Sequence, residues 1–128
     1  MGGLGRAYSK LGEHQRAIEL FNGRLDISRE LNDRRGEGES LGHLGRAYDE
    51  AGERRKALGF YEEAISIHRE IGDRRGESID LYYLSTALDK LGERAKSIEL
   101  ATAALEIAEE VEAPWIETVR RQLDQWRG

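Results

Sequence analysis

The chain has 128 residues, enough for one domain, with 38% hydrophobic and 35% charged residues and a net charge of −5. It has no cysteine, which excludes a disulfide framework, a thiolate metal site and a cysteine nucleophile. No apolar run approaches the roughly 18 residues of a membrane span. The basic clusters Arg34-Arg35, Arg54-Arg55-Lys56 and Arg74-Arg75 stand among acids, so no continuous basic stripe is available for nucleic-acid phosphates.

From the first residues onward the chain repeats with a period of 40. Leu4-Gly5-Arg6-Ala7-Tyr8 returns as Leu44-Gly45-Arg46-Ala47-Tyr48, and Asp33-Arg34-Arg35-Gly36-Glu37 returns as Asp73-Arg74-Arg75-Gly76-Glu77. Without gaps, residues 4–43 match 44–83 at 17 of 40 positions, and 44–83 match 84–123 at 11. A period of this length means stacked supersecondary units, each too thin to close a core alone, and the stack presents an extended surface. The lean hydrophobic content suits such a stack better than a globule around one centre.

The N-terminal residues Met1-Gly2-Gly3-Leu4 lack the basic and apolar regions of a secretory leader. Arg6 stands where a myristoylation signal wants serine or threonine. A cytoplasmic location is the expectation. Unit 1 spans 1–32 and lacks counterparts of Asp33 to Ser40 at its start, so it reads as truncated, with a step at Gly12-Glu13 and a second helix near 14–31. Unit 2 spans 33–72. Leu41, Leu44, Tyr48 and Ala51 recur at steps of three and four, a helical stripe over 33–51. Gly52-Glu53 breaks it. Ala57, Leu58, Tyr61, Ala64, Ile65, His68 and Ile71 form a second stripe. Gly72 suits a left-handed cap, and Asp73 can accept hydrogen bonds from the next helix's free N–H groups. Unit 3 spans 73–112, with helices near 73–91 and 94–111. Two-residue turns make neighbouring helices antiparallel. Pro114 then suits the first position of a capping helix over 114–127. Trp115, Val119, Leu123 and Trp126 share its inner side, and Arg120, Arg121, Asp124 and Arg127 its outer side. Gly45 reads as a close approach of two helices, and Gly23 and Gly59 as tolerated surface positions.

Leu44-Gly45-x-Ala47-Tyr48-x3-Gly52, followed by Ala57, Tyr61 and Ala64-Ile65, resembles the tetratricopeptide repeat. The period is 40 rather than 34 residues, similar to the longer subclass of kinesin light chains and many bacterial regulatory proteins. HEAT repeats also run near 40 residues but are not expected to keep this pattern. Unit 1 departs at Arg24, where Ala64 and Ala104 stand elsewhere. Unit 3 departs at Ser85, Leu88, Ser97 and Ala101, always small for small or apolar for apolar. The resemblance implies an all-α, right-handed superhelical solenoid of antiparallel helix pairs whose first helices line a concave groove. It also implies a protein- or peptide-binding scaffold within a larger regulatory or signalling protein. Some members clamp C-terminal carboxylates with lysine and asparagine. Here Gly2, Arg6, His43, Ile79 and Tyr83 occupy those positions, so that clamp is absent.

The candidate groove residues are Arg6, His43, Arg46, Tyr82, Tyr83 and Thr86. Tyr82 and Tyr83 break the repeat, since Gly2-Gly3 and Gly42-His43 stand in their columns. With Gly42 they can form a notch for an apolar or extended peptide, exposed tyrosines being common interface anchors; the alternative for Tyr82 is that it fills space left by its small neighbours, while Tyr83 is expected to be exposed. Arg6 and Arg46 recur and suit carboxylates, although a salt bridge from Arg46 to Glu50 is the plainer reading. His14, His43 and His68 fall on different helices and faces, so no metal cluster or cofactor is expected. Gly36-Glu37-Gly38 and Gly42-x-x-Gly45 lack the strand and the lysine-serine pair of a phosphate loop. An enzyme is not expected. Self-association through an uncovered first unit is the alternative to partner binding.

Overall fold

The computed structural model describes the backbone of residues 3–128 and the side chains of residues 12–128. Six helices follow one another: α1 Gly3–Glu30, α2 Arg34–Glu50, α3 Arg54–Ile71, α4 Arg74–Lys90, α5 Arg94–Glu110 and α6 Ile116–Arg127. Each packs on its neighbours in the chain, and α2 also touches α4.

The recurring Asp-Arg-Arg-Gly-Glu motif has a local explanation. Asp33 and Asp73 cap α2 and α4, accepting hydrogen bonds from the Gly36 and Gly76 amides at 3.0 and 2.9 Å. Arg34 reaches Glu37 and Glu70, and forty residues on Arg74 reaches Glu77 and Glu110. Arg29 and Arg69 close on the same Glu37 and Glu77 from the preceding helix. These pairs form a ladder along one edge of the stack. The exposed rungs contribute little individually, but Glu77 is buried, so its two arginines offset its loss of water.

The turns explain the second motif. Gly52 and Gly92 both take φ 87°, a left-handed conformation that side-chain-bearing residues avoid. The amide of Gly52 donates to Asp49 and that of Glu53 to Tyr48, and Gly92 and Glu93 repeat the pattern. The orphan carbonyls of α2 and α4 are thereby satisfied. The chain reverses, and α3 and α5 fold back antiparallel.

Unit 1 differs from the expectation. Instead of a break at Gly12-Glu13, α1 is one continuous helix. In units 2 and 3 the turn is clasped by an ion pair, Asp49 with Arg54 and Asp89 with Arg94. Ser9 and His14 stand in those columns, so the clasp cannot form in unit 1, and His14 lies 3.7 Å from Glu50 instead.

The core is serial. One cluster joins α1, α2 and α3 through Leu25, Leu41, Leu44 and Ile67. A second joins α3, α4 and α5 through Tyr61, Ile65, Leu81 and Leu84. A third joins α5 and α6 through Ala101, Val119 and Leu123. Gly45 sets the α2–α3 spacing, because a Cβ there would stand 2.7 Å from the Tyr61 ring. Gly23 and Gly59 face open space, in keeping with surface positions. The last helix begins at Ile116 rather than at Pro114, which lies in the preceding turn. Trp115 holds that turn, its indole N–H donating to the Ser78 hydroxyl at 2.9 Å. Val119 and Leu123 are buried, and Arg120, Arg121, Asp124 and Arg127 face outward, as expected of a cap.

Candidate functional site: the surface over α2 and α4

Two adjoining clefts run over the first helices of units 2 and 3. The first, about 280 Å³, is lined by Arg46, Ile79, Tyr82, Tyr83, Trp115 and Thr118. Its floor is a stack of rings. Tyr83 lies parallel to the buried Tyr61, with centroids 6.3 Å apart and planes 7° from parallel. Tyr82 tilts against Tyr83 at 6.0 Å. The Arg46 guanidinium lies over the Tyr83 ring, 4.7 Å from its centroid, a cation–π arrangement. The expected Arg46–Glu50 salt bridge does not form. Among the described residues Arg46 has no ion-pair partner, and Glu50 is the residue His14 approaches.

Tyr82 is half-buried and packs on two core clusters at once. Burial, and then Tyr83, pushes its phenol above the ordinary value. Tyr83 is half-buried too, parallel to Tyr61 and with Arg46 over its ring. Thr86 turns its hydroxyl back onto the Tyr83 carbonyl at 2.9 Å, and Ser85 does the same to Tyr82 at 2.6 Å. These bonds occupy the two hydroxyls within α4. The side chain of Arg6 lies outside the described residues.

The second cleft, about 230 Å³, shares Arg46 and Ile79 with the first and continues past Gly42 and His43 to His68 and Asp80. His43 stacks on Phe21 of α1 at 4.7 Å. Burial, and then the Arg46 charge, pulls its imidazole below the ordinary value. At the base lies a pair that sequence reasoning missed. His68 of α3 and Asp80 of α4 are 3% and 2% exposed, with Nε2 and Oδ2 at 2.9 Å. The other ring nitrogen stands 3.4 Å from the Asp73 carboxylate without a hydrogen bond. Gly42 makes room, because a Cβ there would press the Asp80 carboxylate at 2.9 Å. A signal existed: Ser28 and Ala108 stand in the column of His68, and Ser40 and Arg120 in that of Asp80. Both residues break the repeat together. His43 and His68 thus line one cleft although they sit on different helices. Among the described residues no group of His, Asp and Glu is placed to hold a metal ion.

Trp115 was expected only to cover the stack. It also forms a wall of the first cleft, and Ser78 fixes it there by accepting from the indole while donating to the Ala104 carbonyl at 2.8 Å.

An all-α stack of repeated helix pairs, with its first helices side by side under a row of clefts, defines a helical-repeat solenoid. The model of the tetratricopeptide repeat matches residues 1–70, and the chain belongs to that family. Among solved structures it is similar to a putative kinesin light chain with nearly identical TPR-like repeats from Podosopora anserina. Identity there is 21% and the TM-score 0.76, over 97% of this chain and 62% of that one. It is also similar to BtubC (BKLC) from P. vanneervenii, at 22% identity and a TM-score of 0.83, over 92% of this chain and 49% of that one. The chain thus spans about half to three fifths of the length of these structures. The likeness supports the right-handed solenoid fold. No curated protein matches the chain. Repeats of this family generally mediate protein–protein interaction. Among the described residues no helix is long and apolar enough to cross a membrane.

Proposed function

We propose that the clefts over α2 and α4 bind an extended peptide segment of a protein partner, as a scaffold rather than an enzyme. The observation that carries this is Arg46, whose guanidinium lies on the Tyr83 ring with no carboxylate partner among the described residues. A cation held on an aromatic face at the mouth of an apolar cleft suits a peptide carboxylate. The cleft beside it, walled by Tyr82, Tyr83 and Trp115, suits an apolar side chain next to that carboxylate. His43 extends the surface toward α1 and Thr86 toward the end of α4.

The test is selection from a random peptide library on the immobilised protein, followed by calorimetry of the enriched peptides. The expected sequences pair an apolar residue with an acidic one and bind Arg46→Ala and Tyr83→Ala more weakly. Enriched peptides that bind both folded variants as tightly as the wild type overturn the assignment. A second reading, self-association through the first unit, is supported by Leu20 and Ile27, exposed on α1, and Leu31, exposed in the turn after it.

A further inference from the structure

We propose that the floor of the second cleft takes the ammonium group of a lysine side chain from the bound segment, with the Asp80 carboxylate as its partner. The proposal rests on the reading of the clefts as a peptide groove and adds a basic residue to the sequence they select.

The first observation is a buried carboxylate with an oxygen to spare. Asp80 is 2% exposed, yet it lines the cleft. Its Oδ2 accepts from the His68 Nε2 at 2.9 Å, and among the described residues nothing donates to Oδ1. A carboxylate taken out of water needs donors on both oxygens. Gly42 leaves the way open for one. A Cβ there would stand 2.9 Å from Oδ1 and from Oδ2, so a side chain at that position would cover both oxygens on the side of the cleft that Gly42 lines.

The second observation is that the stack does not need this pair. One unit earlier the columns of His68 and Asp80 hold Ser28 and Ser40, both buried, and one unit later they hold Ala108 and Arg120. A buried ion pair seldom stabilises a core more than small or apolar residues would. Room has also been made for it. A Cβ at Gly38 would stand 3.2 Å from the His68 ring. A buried charge that packing does not require, reachable from a cleft, points to a ligand.

The charges of the lining choose the occupant. Glu39 and Asp73 line the cleft beside Asp80. Of its two arginines, Arg75 donates to the Val111 carbonyl at 3.1 Å, and Arg46 lies over the Tyr83 ring. His43 is stacked on Phe21. A cation is therefore favoured at the floor. Asp80 offers one oxygen rather than two, which suits an ammonium, a compact charge with three donors, over the flat two-pronged guanidinium. Arg46 and Ile79 are shared with the apolar cleft, so the lysine belongs next to the acidic residue that Arg46 holds.

The probe is n-butylammonium, which is the lysine side chain without its backbone. It is titrated into the isotope-labelled whole chain at fixed ionic strength, and nuclear magnetic resonance follows the amides of Gly42 and Gly76, both in the cleft lining. n-Butanol is the uncharged control. Saturable shifts at both amides are expected with n-butylammonium alone, with a Kd on the order of 1 mM for so small a ligand. Asp80→Asn keeps an acceptor for His68 but removes the charge, and should weaken binding about tenfold. Glu39→Gln, at an exposed position, should weaken it about twofold. Circular dichroism checks the fold, and Glu39→Gln decides alone where Asp80→Asn does not fold. Library-selected peptides should carry a lysine beside their acidic residue, and acetylating it should weaken them about tenfold. No saturable shift with n-butylammonium, or one unchanged in the folded variants, overturns the subsite; peptides that need Arg46 and Tyr83 would still uphold the groove. Such peptides without any lysine overturn the assignment of the ammonium to the partner. Ammonium binding that Asp80→Asn weakens, in a protein that selects no peptide, upholds the subsite and sinks the groove reading.

Discussion

The buried pair beneath the groove gives the sharpest stability prediction. His68 and Asp80 are 3% and 2% exposed and bonded at 2.9 Å, and among the described residues no other side chain hydrogen-bonds to the Asp80 carboxylate. Asp80→Ala leaves the imidazole buried with no acceptor for Nε2, and His68→Ala leaves a carboxylate buried without its donor. Removing one partner of such a pair costs about 3 kcal/mol or more. For a chain of this size that lowers Tm by about 10 °C. The preceding unit supplies a control, because the same two columns carry Ser28 and Ser40, both buried. His68→Ser/Asp80→Ser transplants that small, uncharged solution. Its loss should fall short of the summed single serine variants by about 2 kcal/mol, the range of directly coupled residues. The assay is urea and thermal denaturation of the wild type, His68→Ser, Asp80→Ser and the double variant, at one protein concentration so that any association contributes equally. Single losses below about 0.5 kcal/mol, or additivity within that error, would refute the coupling between α3 and α4.

Three further outcomes follow from the geometry. Gly45→Ala forces a Cβ to 2.7 Å from the Tyr61 ring and should destabilise by about 1–3 kcal/mol. Gly23→Ala and Gly59→Ala meet nothing within 4 Å and should each stabilise by up to about 1 kcal/mol; thermal melts separate the two classes. Because burial and Arg46 hold the folded His43 below its ordinary value, the unfolded chain binds the proton more readily. His43 therefore supports the fold fully above about pH 6.5, the unfolded value, and that support is lost as pH falls through the folded value. Melts between pH 7 and pH 5 should show a smaller acid loss in His43→Gln than in the wild type.

Much of the fold was legible because each column of the repeat is tested more than once. The helix stripes of units 2 and 3, the glycine steps at Gly52 and Gly92 and the aspartate caps stand where the sequence places them, since each depends on residues within a few positions of one another. Two features escaped. The continuity of α1 escaped because Gly12-Glu13 preserves the step while Ser9 and His14 remove the ion pair that closes the turn. The glycine permits the reversal, but the flanks are what hold it. The His68–Asp80 pair escaped because each residue was assigned to its own helix, and only the packing of α3 on α4 brings them together. Of the candidate site, Arg46, Tyr82 and Tyr83 converge as their positions on successive first helices imply. Trp115 joins them from the cap, where the repeat has no further unit to compare.

The groove reading turns on Arg46 and Tyr83, and Trp115 offers a direct view of it. The chain has two tryptophans, so Trp126→Phe leaves Trp115 as the only indole, in the wall of the cleft. A library-selected peptide titrated into this variant should change Trp115 emission along the calorimetric binding curve. Adding Arg46→Ala or Tyr83→Ala should weaken that curve about tenfold or more, the loss of about 1.4 kcal/mol expected of an interface anchor. Unchanged emission and unchanged affinity in both folded variants would place the bound peptide elsewhere on the solenoid.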